Sequence, residues 1–224
     1  MQKFDTPAPI SALLDIPAGR IRFIAADRPD TTVEVLPADA AKSRDVKAAE
    51  QVEVAYGDGV LRIEAPAARN RILGHPGSLE VTVQLPAGSR VEAKAASAEL
   101  RGVGRLGDVV FEGALAAVKL DEAASTRLSL QAGDISVGRL GGPAEISTQK
   151  GDIHITEAMG GTVTLRTEYG LINVGAARGV SASLDAGTGY GRIHNALKNT
   201  DGGDATGLDI HATTSYGDIT ARSL

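Results

Sequence analysis

Cysteine is absent from the 224 residues, and so is tryptophan. The first absence removes any disulfide framework, thiolate nucleophile or Cys-based metal site. The second, with aromatics at only 3%, leaves a core to be built from Ile, Val, Leu and Ala, which suits a narrow interior. A strong charge of one sign is also missing. The formal net charge of -5 is too small, and of the wrong sign, for a nucleic-acid binder that relies on phosphate attraction. No apolar run reaches the roughly 18 residues of a membrane span, and Met1 to Pro9 contains none of signal-peptide length. The sequence therefore predicts a cytoplasmic protein with no membrane span and no nucleic-acid partner.

What the sequence does contain is one phrase said three times between Arg127 and Val174. Leu128 to Val137, Ile146 to Ile155 and Leu165 to Val174 each alternate apolar with small polar residues, reach a glycine, and resume as Ile-polar-Val or Ile-polar-Ile. Alternation at period two marks half-buried strands, and the glycine, twice followed by Asp, marks the bend between them. The glycines at 133, 151 and 170 fall at steps of about 18 and 19 residues, close to the range of repeat architectures. Weaker versions follow at Gly191 and Gly217 and precede at Val118 and Leu100. The expectation is an all-β, single-stranded parallel β-solenoid (β-helix) of about seven coils over residues 91–224, in one domain continuous with what precedes it.

Residues 1–90 lack the fixed period and are expected to form an irregular β-rich cap. Strands are expected over Leu13–Ile16, Arg20–Ala25 and Thr31–Leu36, with Pro17-Ala18-Gly19 and Asp27 to Asp30 as turns. Pro37 to Glu50 reads as a short helix or a loop. Tyr56-Gly57-Asp58-Gly59 signals a hairpin, and Leu79 to Leu85 alternates as a further strand.

Stacking the phrases aligns residues in columns. Two residues after each glycine stand Ile135, Ile153, Ile172, Ile193 and Ile219, with Val118 and Leu100 in the weaker phrases, expected to face inward. One further on, Ser136, His154, Asn173, His194 and Thr220 face outward. His154 and His194 would sit two coils apart, about 10 Å, too far to share a metal ion. The residue after the glycine is Asp at 134, 152 and 218 but Leu171 and Arg192 elsewhere, a broken acidic stripe better suited to turn chemistry than to calcium. The residue before it is Tyr169, Tyr190 and Tyr216 in three phrases, which could stack their rings. The loop from Ala65 to Ser78 carries Arg69, Arg71 and His75 and is the other expected contact surface. No catalytic, cofactor-binding or metal-ligating set stands out.

The run Leu79 to Val91 (LEVTVQLPAGSRV) followed by repeated Gly-Asp-Ile phrases resembles a bacterial β-strand-repeat family of unknown function labelled "putative adhesin". That resemblance implies a parallel β-solenoid and brings no catalytic residues. The function expected is a non-enzymatic scaffold or interaction module for an unknown protein partner. Two alternatives follow it: self-association into filaments, and a carbohydrate-binding or carbohydrate-cleaving solenoid using the tyrosine stripe of Tyr169, Tyr190 and Tyr216.

Overall fold

Among the described residues the alternating runs fold as β-strands, with one short helix, α1 (Ser43–Glu50). The computed structural model describes residues 1–65, 77–198 and 207–224. Among the described residues sixteen strands are linked by ladders of both parallel and antiparallel pairing. The chain divides into two compact units, Met1–Ala116 and Ala117–Leu224.

The first unit holds β1 (Gln2–Asp5), β2 (Ser11–Ala26), β3 (Asp30–Pro37), β4 (Glu53–Gly57), β5 (Val60–Glu64), β6 (Leu79–Pro86) and the first part of β7 (Arg90–Ala132). Its centre is β2, which pairs in parallel with β5 over residues 11–15, with β6 over 19–26 and with β7 along most of its length. The strands expected at 13–16 and 20–25 are thus one strand, bent at Gly19. There φ is 139°, and a Cβ would fall on the Leu79 carbonyl. Asp58 and Gly59 both take positive φ (51° and 75°), as a two-residue hairpin turn between β4 and β5 requires. Helix α1 is held by Asp45, 3% exposed, whose carboxylate accepts the Ser78 N–H at 3.0 Å. Phe23 and Phe111, both at 0% exposure, fill this unit's core with Ile21, Leu61, Val83 and Leu100. Leu100 pairs with Ile21.

The expectation of a parallel β-solenoid is corrected by the pairing itself. β1 with β3, β3 with β6 and β4 with β5 are antiparallel ladders within the mixed sheet. The reason lies in the connections: a two-residue turn such as Asp58-Gly59 can only return the chain antiparallel. The repeated phrase is confined to later residues and carries no information about the earlier ones.

In the second unit every ladder is parallel. Short strands β8 (Ile135–Leu140), β10 (Ile153–Ala158), β12 (Ile172–Ala176), β14 (Ile193–Ala196) and β16 (Ile219–Ser223) form one. Longer strands β9 (Ala144–Lys150), β11 (Gly161–Tyr169), β13 (Ala182–Tyr190) and β15 (Leu208–Tyr216) form the other. Glycine turns join the two ladders into arches β9–β10, β11–β12, β13–β14 and β15–β16. Their spatial order departs from chain order, because β15 pairs with both β11 and β13, and β16 with both β12 and β14. The arch latest in sequence therefore lies between its two predecessors, and β13–β14 is outermost among the described strands.

The isoleucine column follows this order: Val118, Ile135, Ile153, Ile172, Ile219, Ile193. All but the last are at most 2% exposed, and Ile193 is 46% exposed because no arch among the described residues covers it. Burial of one such side chain contributes roughly 1.5–3 kcal/mol, so this column is a principal source of the unit's stability.

Candidate functional site

Each glycine turn brings four side-chain columns together. At the turn, the N–H of Gly133, Gly151, Gly170 and Gly217 donates to the carbonyl of Lys150, Tyr169, Tyr216 and Tyr190 in the next arch, at 2.7–3.0 Å. The fit leaves no room for side chains. A Cβ on Gly151, Gly170, Gly217 or Gly191 would overlap the carbonyl of the glycine stacked against it.

A threonine three residues before the glycine closes this joint from within. Thr148, Thr167, Thr214 and Thr188 donate their hydroxyls to the carbonyls of Gly133, Gly151, Gly170 and Gly217, at 3.4, 3.1, 3.2 and 3.0 Å. The first three are buried, so the bond satisfies a hydroxyl that burial would otherwise penalise. The sequence reading missed this column. Its signal was present, since Thr recurs at a fixed offset from the glycine.

The residue after the glycine closes the joint from outside. Asp134 accepts the Asp152 N–H at 2.8 Å, Asp152 accepts the Leu171 N–H at 2.7 Å, and Asp218 accepts the Arg192 N–H at 2.8 Å. The Arg192 guanidinium adds an ion pair to Asp218 at 3.2 Å. The Arg192 N–H, and then its guanidinium, hold the Asp218 carboxyl below its ordinary value. The acidic stripe is thus a clamp between arches. At Leu171, 43% exposed, the clamp has no acceptor to offer Asp218. Leu171→Asn supplies one without adding a charge beside Asp152. It is expected to stabilise the fold by about 0.5–1 kcal/mol, read as a raised midpoint in chemical denaturation.

The residue before the glycine is the tyrosine column. Tyr216 stacks on Tyr169 with ring centroids 5.0 Å apart and planes at 1°, and on Tyr190 at 5.0 Å and 5°. The order Tyr169–Tyr216–Tyr190 follows the arch order, with Lys150 in register beyond Tyr169. The three rings are 54%, 47% and 72% exposed. Stacking covers both faces of Tyr216 and one face of each neighbour. What the column presents is therefore ring edges and a line of phenol hydroxyls. A sugar lying flat needs an open ring face, and on this side of the stack only the outer face of Tyr190 offers one.

Arg69, Arg71 and His75, and the Asp201 to Asp204 stretch, lie outside the described residues. His154 and His194 are separated by Asn173 and Thr220, three strand spacings rather than two, or about 14 Å. Among the described residues no group of three or more His, Asp and Glu could hold a metal ion. His154 instead contacts the Thr156 hydroxyl (3.3 Å) beside a shallow, open depression at Asn173, Gly175, Thr220 and Arg222. His211 Nδ1 lies 3.5 Å from the Asp185 carboxylate. Among the described residues no helix is long and apolar enough to cross a membrane.

No family model matches the chain, and no curated protein matches it. Among solved structures it is similar to a "putative adhesin" from Parabacteroides distasonis at 15% identity and a TM-score of 0.48, covering 98% of this chain and 95% of that one. It is also similar to a "putative adhesin" from Bacteroides fragilis (12%, TM-score 0.46, 98% and 95% covered). A third is a "putative cell adhesion protein" from Clostridium sporogenes (12%, TM-score 0.43, 100% and 98% covered). These names agree with the label attached to the sequence resemblance, but likeness of this depth assigns neither a family nor an activity.

Proposed function

We propose that this chain is a non-enzymatic interaction module that meets a protein partner along the tyrosine column of its second unit. The observation that carries the reading is the stack itself: three of the four tyrosines in the chain form one exposed, ordered stripe. Exposed aromatic rings held in fixed positions offer a partner large amphipathic area at low conformational cost, because stacking already restricts their rotation. The hydroxyl line adds hydrogen-bonding groups at strand spacing. Neighbouring outward residues of the same ladder, Glu145, Arg166, Glu168 and Asp185, supply a charged surround of both signs, as the rim of an interface does.

The stability part of the stack can be separated from its contact part. Tyr216→Ala removes two stackings and Tyr190→Ala one. Stacking alone predicts losses of about 1–3 and about 0.5–1.5 kcal/mol in denaturant titrations. The contact reading predicts more: the double variant Tyr169→Ser with Tyr190→Ser keeps its circular dichroism spectrum but loses the proteins that co-purify with the wild-type chain. The same proteins retained at wild-type yield would leave the column a structural device only.

A further inference from the structure

Exposed tyrosines one strand spacing apart can react with each other as well as meet a partner. Tyr169, Tyr216 and Tyr190 are in register on adjacent parallel strands, with neighbouring ring planes 1° and 5° from parallel and centroids 5.0 Å apart. Equivalent carbons of neighbouring rings therefore face each other at about one strand spacing. All three rings are exposed, so an oxidant reaches them and each has room to turn about its side-chain bonds.

Composition is the second observation. Cysteine and tryptophan, the side chains that compete with tyrosine for a one-electron oxidant, are absent from the chain. An oxidising equivalent delivered to this protein settles first on tyrosine. Of the four tyrosines three stand in the column, and the fourth, Tyr56, has Phe4 as its ring neighbour at 5.4 Å. Phenylalanine has no phenol to oxidise, so that pair cannot couple in the same way.

We infer that the tyrosine column is a site of oxidative cross-linking, in which Tyr216 couples to Tyr169 or to Tyr190 as dityrosine. The co-reactant is hydrogen peroxide, activated by a haem peroxidase. Each of two phenols gives up one electron and one proton, and the peroxide takes both electrons and both protons to become two waters. The two phenoxyl radicals then join through a ring carbon next to each hydroxyl. Each joined carbon passes its hydrogen, as a proton, to its own ring oxygen, which restores both aromatic rings. Because the rings are held side by side in one chain, the coupling is unimolecular and outruns encounters between chains. The new bond ties the arch latest in sequence to a neighbour, as a disulfide would in a chain that had cysteine. The inference rests on ring geometry and not on the partner reading.

The test treats the purified chain, at micromolar concentration, with a haem peroxidase and one equivalent of hydrogen peroxide. The expected product is a single chain lighter by two hydrogens, with dityrosine fluorescence, whose proteolytic peptides are joined from Tyr216 to Tyr169 or Tyr190. Its melting midpoint should rise by about 5 °C or more. Tyr216→Phe keeps a ring in the stack but leaves the two remaining phenols about 10 Å apart. Its yield of intrachain dityrosine should fall at least about tenfold, whereas Tyr56→Phe should match the wild-type chain. No dityrosine in the wild type, cross-links only between chains, a main product joining Tyr169 to Tyr190, or wild-type yield from Tyr216→Phe would overturn the inference. So would a yield that depends on Tyr56, or a cross-linked product that melts no higher than the unmodified chain. Partner capture is measured on the unoxidised chain, so that reading stands or falls separately.

Discussion

Ile153→Asp is expected to unfold the second unit at temperatures where the wild-type chain is folded. Ile153 is at 0% exposure, in register between Ile135 and Ile172, which are 1% and 0% exposed. The substitution removes roughly 1.5–3 kcal/mol of apolar burial. It also places a carboxylate where the column offers only aliphatic neighbours. An unpaired buried charge costs several kcal/mol more, or forces its own protonation. The sum exceeds about 4 kcal/mol, a large part of the 5–15 kcal/mol that usually holds a domain folded. Ile193→Asp is the matched control, since the same column position is 46% exposed on the outermost arch. Its cost should be under about a third of the Ile153→Asp value. Thermal melts followed by far-ultraviolet circular dichroism measure both, and equal shifts would show that the column is not an interior.

Gly170→Ala is the second large effect, and it tests the turns rather than the interior. The new Cβ would overlap the Gly151 carbonyl, and backbone cannot swing aside as a flexible side chain can. The arches must separate locally. That movement breaks the Gly151 N–H to Tyr169 carbonyl bond of 2.9 Å and the Thr167 hydroxyl bond of 3.1 Å to the Gly151 carbonyl. Overpacking and two lost bonds together predict about 3 kcal/mol or more. Gly187→Ala supplies the contrast, because its Cβ has space and alanine restricts the unfolded chain. It should be neutral or stabilising by up to about 1 kcal/mol. Urea titrations of the two variants therefore differ in sign or nearly so, and similar losses would mean that the turns are looser than they are drawn.

The contrast between these glycines shows what was legible in the sequence. Period-two alternation and the recurring glycine located the strands and turns of residues 117–224, and the offset of two from the glycine correctly identified the buried isoleucines 135, 153, 172 and 219. Vertical order was not legible, because every phrase offers its neighbours the same glycine, the same aliphatic column and the same backbone groups. Only composition hinted at it. β13 and β14, with Gly187, Gly189, His194 and Asn195, are poorer in apolar residues than Leu208, Ile210, Ala212, Ile219 and Ala221 of the arch that lies inside them. The antiparallel pairs were half legible. The Asp58-Gly59 turn announced one of them, but β3 finds β1 and β6 across distances in sequence that no local pattern encodes. The tyrosine column was visible as spacing, while its middle member, Tyr216, became known only from the strand order.

That strand order also constrains the sequence of events in folding. Residues 182–196 leave the ribosome before residues 208–223, yet they rest on them. Until the later segment arrives, the earlier one has no template and must either wait unstructured or dock on β11 and β12 in a place it will have to vacate. Deleting residues 208–223 would therefore remove the support of two arches at once.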